Sequence, residues 1–207
     1  MKLDWRGRIT SVQPRFRLLR SFDQRSHTYL GYALRVLGTI AGEHREAWFG
    51  VGPAAHEKHR FEVGQQAGGC AQPVADPRAE AVEFYKVTRI VVTARNGSPS
   101  TPPPWQGVAP PIEVYRERGH RRLAARTYAS AGCSGCIWGA RMPVEIVVDH
   151  WKPDQKRHRF ETFCYGPKSC ALYRPGPTRK VPGRRGMTYE EEDWIYVEET
   201  AHRGPDE

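Results

Sequence analysis

Four of the chain's five cysteines fall in its second half as two pairs, Cys133-Ser134-Gly135-Cys136 and Cys164 with Cys170. Two cysteines separated by two residues set two thiolates on one tight turn. Zinc–sulfur bonds of about 2.3 Å and tetrahedral angles require that closeness. The second pair is wider, with five residues between its members, and its Gly166-Pro167 step supplies a turn that folds both sulfurs inward. Four thiolates leave no coordination position for water, so the chemistry they imply is structural zinc binding rather than metal catalysis. The same ligand set also suits an iron–sulfur cluster. A redox Cys-x2-Cys pair, or four plainly buried thiols, are the other meanings this spacing allows. Cys70 stands apart from the four and reads as a small core residue.

Arginine in company with aromatic side chains is the second signal. The chain carries a net charge of +9 at a sequence pI of about 9.5. That charge is uneven: +6 over residues 1–95, +10 over 96–187 and −7 over 188–207. The body suits a polyanionic partner. Arg15, Arg17, Arg35 and Arg89 fall on strand faces opposite the apolar ones, where Tyr29, Trp48 and Tyr85 can join them. Such a set stacks bases and neutralises phosphates. Two further basic clusters follow: Lys152, Lys156, Arg157 and Arg159 at a predicted hairpin tip, and Arg174, Arg179, Lys180, Arg184 and Arg185 in a Pro/Gly-rich loop.

Other chemistry is thinner. His56-Glu57-Lys58-His59 departs from His-Glu-x-x-His because its second histidine comes one position early. Glu145 and Asp149 share a face of a predicted strand about 13 Å apart, too far for a general acid–base pair. The sequence holds no Ser-His-Asp elbow, no phosphate-binding P-loop and no dinucleotide fingerprint.

The elements that must position these residues are mainly strands. Hydrophobic residues make up 39% of the chain, and 20 glycines and 17 prolines favour short strands and ordered loops. Strand patterns run from Trp5 to Phe22, from His27 to Ile40 and from Ala47 to Val51. The first slips phase near Ser11 to Pro14, the mark of a bulge. A short helix over residues 53–59 starts with Pro near its first turn. Extended segments over 61–74 and 80–94 complete the first half. Residues 96–111 carry six prolines and read as a semi-rigid linker holding Trp105. Beyond it come a helix broken at Gly119, a strand over 144–151, turn residues Lys152 to Gln155, and a return strand to Cys164. Residues 188–207 form an acidic tail in which Trp194 and Tyr196 are the expected anchors.

Strand, strand, strand, short helix, strand, strand over residues 1–95 resembles an OB-fold, the small five-stranded barrel with a helix between its third and fourth strands. Two cysteine knuckles around a hairpin over residues 112–187 resemble a zinc ribbon. These resemblances imply an OB-like barrel, a linker, a four-Cys module and an acidic tail. They point to a non-enzymatic protein that binds RNA or another single-stranded nucleic acid, since no recognition helix for duplex DNA is visible. An iron–sulfur or zinc accessory protein that docks an acidic partner is the alternative. An enzyme using the barrel as a substrate site is the third reading. No signal peptide or membrane span is visible, so the expected location is the cytoplasm, where thiols stay reduced.

Overall fold

The computed structural model describes residues 2–21, 23–93, 102–191 and 194–207. The first half holds β1 (Leu3–Arg20), β2 (Arg25–Ile40), β3 (Glu43–Val51), α1 (Pro53–His59), β4 (Gln66–Pro73) and β5 (Phe84–Val92). β1 pairs antiparallel with β2, and β2 with β3. β3 meets β5 in parallel at Phe49 and Phe84, β5 pairs with β4, and β4 pairs with β1. The chain of pairings thus returns to the strand where it began. A register shift between Ile9 and Ser11 falls where the apolar alternation of the sequence slips. Gly7 and Gly38 face each other across β1 and β2, where the backbones come so close that a Cβ on Gly7 would stand 2.4 Å from the Leu37 carbonyl oxygen. Inside, Trp5 stacks on Phe49 at 4.4 Å and Phe49 on Phe84 at 5.1 Å, beside fully buried Ile9, Leu34, Val36 and Phe61. Each such side chain contributes roughly 1.5–3 kcal/mol by leaving water.

The second half holds α2 (Ile112–Arg118), β6 (Arg121–Arg122), α3 (Ala125–Ser130), β7 (Gly139–Val147), β8 (Lys156–Cys164), β9 (Lys180–Pro182), β10 (Thr188–Glu190) and α4 (Trp194–Glu199). Helix α2 stops at Gly119, whose φ of 66° ends the helical path. β7 and β8 form the expected hairpin, in register from Gly139 opposite Cys164 to Val147 opposite Lys156.

The expectation that strands of residues 1–95 pair only among themselves is corrected by β1. β2 takes one edge of β1 from Trp5 to Arg20, but β4 takes only part of the other edge. Leu3–Arg8 pair with β4, and further along the same edge Leu18–Arg20 pair in parallel with β7. The sheet therefore runs from one half into the other, and so does the core. Phe16 meets Tyr165 edge-on at 5.6 Å, and Tyr165 meets Tyr115 at 5.2 Å. Residues 11–16 of β1 are buried without exception, because both faces of the strand are covered. The described part of the linker, residues 102–111, is strapped to both halves. Tyr32 Oη donates to the Pro110 carbonyl at 2.7 Å, His56 Nε2 stands 2.8 Å from the Ala109 carbonyl, and the Ile137 amide donates to the Trp105 carbonyl at 2.9 Å.

The acidic tail is folded onto the body. Tyr189 pairs with Val181 across β9 and β10, and Glu191 and Tyr196 are buried. Tyr196 is an anchor as expected, whereas Trp194 is 52% exposed and is not. Glu192 and Asp193 of the acidic run lie outside the described residues. Among the described residues, no helix is long and apolar enough to cross a membrane.

One consequence is an acid-sensitive joint. His27 and His120 contact each other at 4.6 Å between ring centroids where β2 meets the second half. Burial, then Arg25 and Arg20, lowers the pKa of His27 to about 4. Burial, His27 and the cations Arg25, Arg20 and Arg122 hold His120 well below its ordinary value. Both rings are neutral in the fold and take up protons near pH 6.5 once unfolded. Stability is then full above about pH 6.5 and falls as pH drops toward 4, approaching 1.4 kcal/mol per pH unit for each ring. Glu199, whose carboxyl burial raises, offsets part of this. The urea midpoint should fall between pH 7.5 and 5, and His120→Gln should remove about half of the dependence. Equal midpoints at the two pH values would exclude a buried neutral pair.

Candidate functional site

The hairpin brings the two cysteine pairs together. Cys133 opens a 3-10 turn, Cys133–Gly135, just before β7, and Cys164 closes β8 opposite Gly139. Cys133, Cys136, Cys164 and Cys170 all line one cavity of about 20 Å³, walled by Trp105, Trp138, Leu172 and Tyr173 among others. That volume admits one water-sized sphere. Three of the four, Cys133, Cys136 and Cys164, are buried. Cys70 is remote from the cavity and donates to Asp4 Oδ1 at 3.1 Å.

Backbone donors converge on the sulfurs. Cys164 Sγ accepts from the Gly166 amide at 3.3 Å, and the backbone of Trp138 and Trp105 favours the Cys136 thiolate. The positive charge of Arg121 also favours the Cys164 thiolate. Donors of this kind favour thiolate over thiol and orient a ligating sulfur. Burial works against them: it lifts the Cys133 thiol to about 11 and the Cys136 thiol to about 12, and raises Cys164. A set of buried sulfurs with aimed N–H donors fits a cation, which would supply the missing positive charge. Among the described residues, however, no group of three or more His, Cys, Asp or Glu side chains is arranged to hold a metal ion. The sulfurs share a cavity without yet forming a coordination sphere.

The cavity's walls are fixed from three directions. From β1, Gln13 Nε2 donates to the carbonyls of Cys133 and Cys136 at 2.9 and 3.0 Å, and Tyr128 Oη donates to Gln13 Oε1 at 2.7 Å. From the tail, Arg203 donates to the carbonyls of Tyr165 and Gly166, both at 3.0 Å. From α2 and β6, Arg118 donates to the Tyr165 carbonyl at 2.7 Å and Arg121 to the Pro167 carbonyl at 2.9 Å. The five-residue spacing of the second pair is closed by a turn in which the Cys170 amide donates to the Pro167 carbonyl.

The basic candidates divide into neutralised and unneutralised groups. Glu80, from the segment between β4 and β5, accepts from both Arg15 and Arg17 at 2.7 Å. Arg35 lies 5.5 Å over the Trp48 ring, 3.5 Å from Glu46 and against Ser134. Tyr29 packs on Phe16 beneath Arg116, so it belongs to the joint and not to an open face. Tyr85 is half-buried under Lys86. Lys156 pairs with Glu145 at 2.7 Å and Arg159 with Glu161 at 2.6 Å. Arg174 bonds the carbonyls of Ala171 and Tyr173, Lys180 approaches Glu190 at 3.9 Å, and Arg179 is half-buried. Arg89, Lys152, Arg157, Arg184 and Arg185 are exposed, and among the described residues no acidic side chain pairs with them.

One of those five, Arg184, lines a cleft, and Lys152 and Arg185 directly follow its lining residues Trp151 and Arg184 in the chain. The hairpin tip and the loop after β9 face each other across this cleft of about 340 Å³, lined by Val148, Asp149, His150, Trp151, Arg184, Met187 and Tyr189. Arg157 stands opposite Ile146 in the hairpin register and is exposed. Arg89 lies elsewhere, on a second groove with Arg6, Gly68 and Gly69. The sequence signalled the two basic clusters but not Trp151. An aromatic beside turn residues has no paired strand to bury it, and that signal was available.

Compared with known proteins, the chain matches no family model, no curated protein and no solved structure.

Proposed function

We propose that this chain is a single-stranded nucleic-acid-binding protein, built on an OB-like barrel and completed by a zinc-holding four-cysteine module. The observation that carries the binding reading is a cleft between the hairpin tip and the loop after β9, lined by Trp151 and Arg184, with Lys152, Arg157 and Arg185 exposed on the same two segments and, among the described residues, no acidic side chain paired with any of the four cations. A protein surface that collects unneutralised cations around apolar side chains favours a polyanion that also presents flat rings. The barrel reading is supported by the returning order of pairings, β1–β2–β3–β5–β4–β1, with α1 between β3 and β4.

Zinc is the metal this reading assigns to Cys133, Cys136, Cys164 and Cys170, with an iron–sulfur cluster as the other occupant of a four-thiolate set. The metal would supply cross-linking, joining the turn before β7 to the turn after β8. The chain's own residues do the rest: Gln13 ties the first knuckle to β1, and Arg203 ties the second turn to the tail. A reducing compartment such as the cytoplasm keeps such thiols open to metal. The same basic cleft would also receive an acidic protein, which is the second reading.

The test is Arg184→Gln with Arg185→Gln in the full chain, binding a labelled single-stranded oligonucleotide at several salt concentrations. Loss of two phosphate contacts should weaken binding and flatten the plot of log affinity against log salt by about 1.4, at roughly 0.7 per contact on a single strand. Unchanged affinity and slope would remove the cleft from the binding surface.

A further inference from the structure

We propose that Trp151 is a stacking platform for one unpaired base, flanked by cations that hold the neighbouring phosphates. The inference rests on the nucleic-acid reading and adds the chemistry recognised there: the ring of an exposed base, not the outer backbone of a duplex.

Trp151 is 82% exposed, the most exposed large hydrophobic side chain among the described residues. It does not stand alone, as scattered surface apolar residues do. Met187, 49% exposed, and the partly buried Val148 and Tyr189 line the same cleft. The backbone that carries the indole is held in a turn, because the Trp151 amide donates to Asp149 Oδ1 at 3.0 Å and the Lys152 amide to the Asp149 carbonyl at 2.9 Å. The wall opposite is tied to the hairpin, since Arg159 donates to the Lys180 carbonyl across β8 and β9.

The acids near the cleft are mostly engaged. Asp149 accepts from the Trp151 amide, Asp23 pairs with His150 at 3.1 Å, and Glu145 pairs with Lys156. Asp154, in the turn, is exposed. Lys152, Arg157, Arg184 and Arg185 remain to meet the anionic backbone on either side of the base. Duplex DNA buries its bases in the stack and offers no ring face to Trp151. A strand with splayed bases offers one at each nucleotide.

The experiment uses the full chain and three labelled ligands of about 12 nucleotides, within the length such sites cover: oligo(dT), an abasic strand of the same phosphate number, and a duplex. The intact protein should bind oligo(dT) about 10-fold more tightly than the abasic strand, as expected for one stacked base. Trp151→Ala should abolish that preference and leave abasic affinity unchanged, while Trp151→Phe should restore most of it. The side chain is on the surface, so a folded variant is expected, and a circular dichroism spectrum checks it. If Trp151→Ala keeps the full preference, the platform is elsewhere and the proposal fails. If the intact protein binds both strands equally, the nucleic-acid reading stands on charge alone and the stacking role is wrong. If it binds neither strand but retains poly-glutamate, both readings fail and the cleft serves an acidic protein.

Discussion

On the zinc reading proposed above, Cys133→Ser will abolish metal binding and loosen the joint between the two halves of the chain. The serine hydroxyl is a poor zinc ligand, and a site with three thiolates no longer closes around the ion. Ligation energy is folding energy in small metal modules, on the order of 10 kcal/mol, so most of it is lost with the ligand. The loss will be felt first around residues 112–187, because Cys133 and Cys136 form the turn that leads into β7 and Cys164 ends its partner β8. It will spread into β1, since Gln13 bonds the carbonyls of both knuckle cysteines. Amide exchange should accelerate across the hairpin more than across β2 and β3. Cys70→Ser is the control: Cys70 lies outside the cavity, so metal content should be unchanged. A Cys133→Ser protein with one full metal equivalent would refute the ligand assignment.

Glu191→Ala should cost about 3–5 kcal/mol, the usual result of removing one partner from a buried ion pair. Glu191 sits between two buried guanidinium groups, pairing with Arg20 through one oxygen and with Arg122 at 2.8 Å through the other. Tyr196 Oη donates to it at 2.6 Å. Glu161 stands 3.7 Å from Arg20 but also serves Arg159, so Arg20 loses its nearest carboxylate. Its residual charge in a buried site makes the variant worse than a lost contact. Tyr196→Phe, which removes two hydrogen bonds, to Glu191 and from Arg20, but no charge, should cost less, about 2 kcal/mol. Urea unfolding of the two variants measures the contrast. A Glu191→Ala cost below that of Tyr196→Phe would mean that the tail is not held by this network. This network is also why the tail reads as part of the body: its acids satisfy arginines that would otherwise repel one another inside the fold.

The local signals in the sequence were the readable ones. Period-two alternation located β2 and β8 within a few residues, and the phase slip in β1 appeared as a register shift. The proline before Ala54 marked the start of α1, and Gly119 its break between α2 and β6. Cysteine spacing around a hairpin put four residues on one cavity. Partnerships between distant segments were not readable. Nothing beside Arg15 in the sequence says that Glu80 will neutralise it, because that pairing exists only once β4 and β5 are in place. The continuation of β1 onto β7 was hidden for a related reason. A strand covered on both faces loses its alternation, so residues 11–16 carry no sign of which neighbour covers them. Exposure of Trp151 was legible from the turn residues Lys152 to Gln155 beside it, but the strand read over 144–151 took it in.

The central claim is that the cleft beside the β7–β8 hairpin binds a single strand through four unneutralised cations. Equilibrium binding of the full-length protein to a fluorescent single-stranded oligonucleotide, across a salt series, tests it most directly. The account predicts tighter binding to the single strand than to a duplex of the same length, with a plot of log affinity against log salt of slope near −3, about 0.7 for each of the four cations. No binding at low ionic strength, or affinity that favours the duplex, would contradict it.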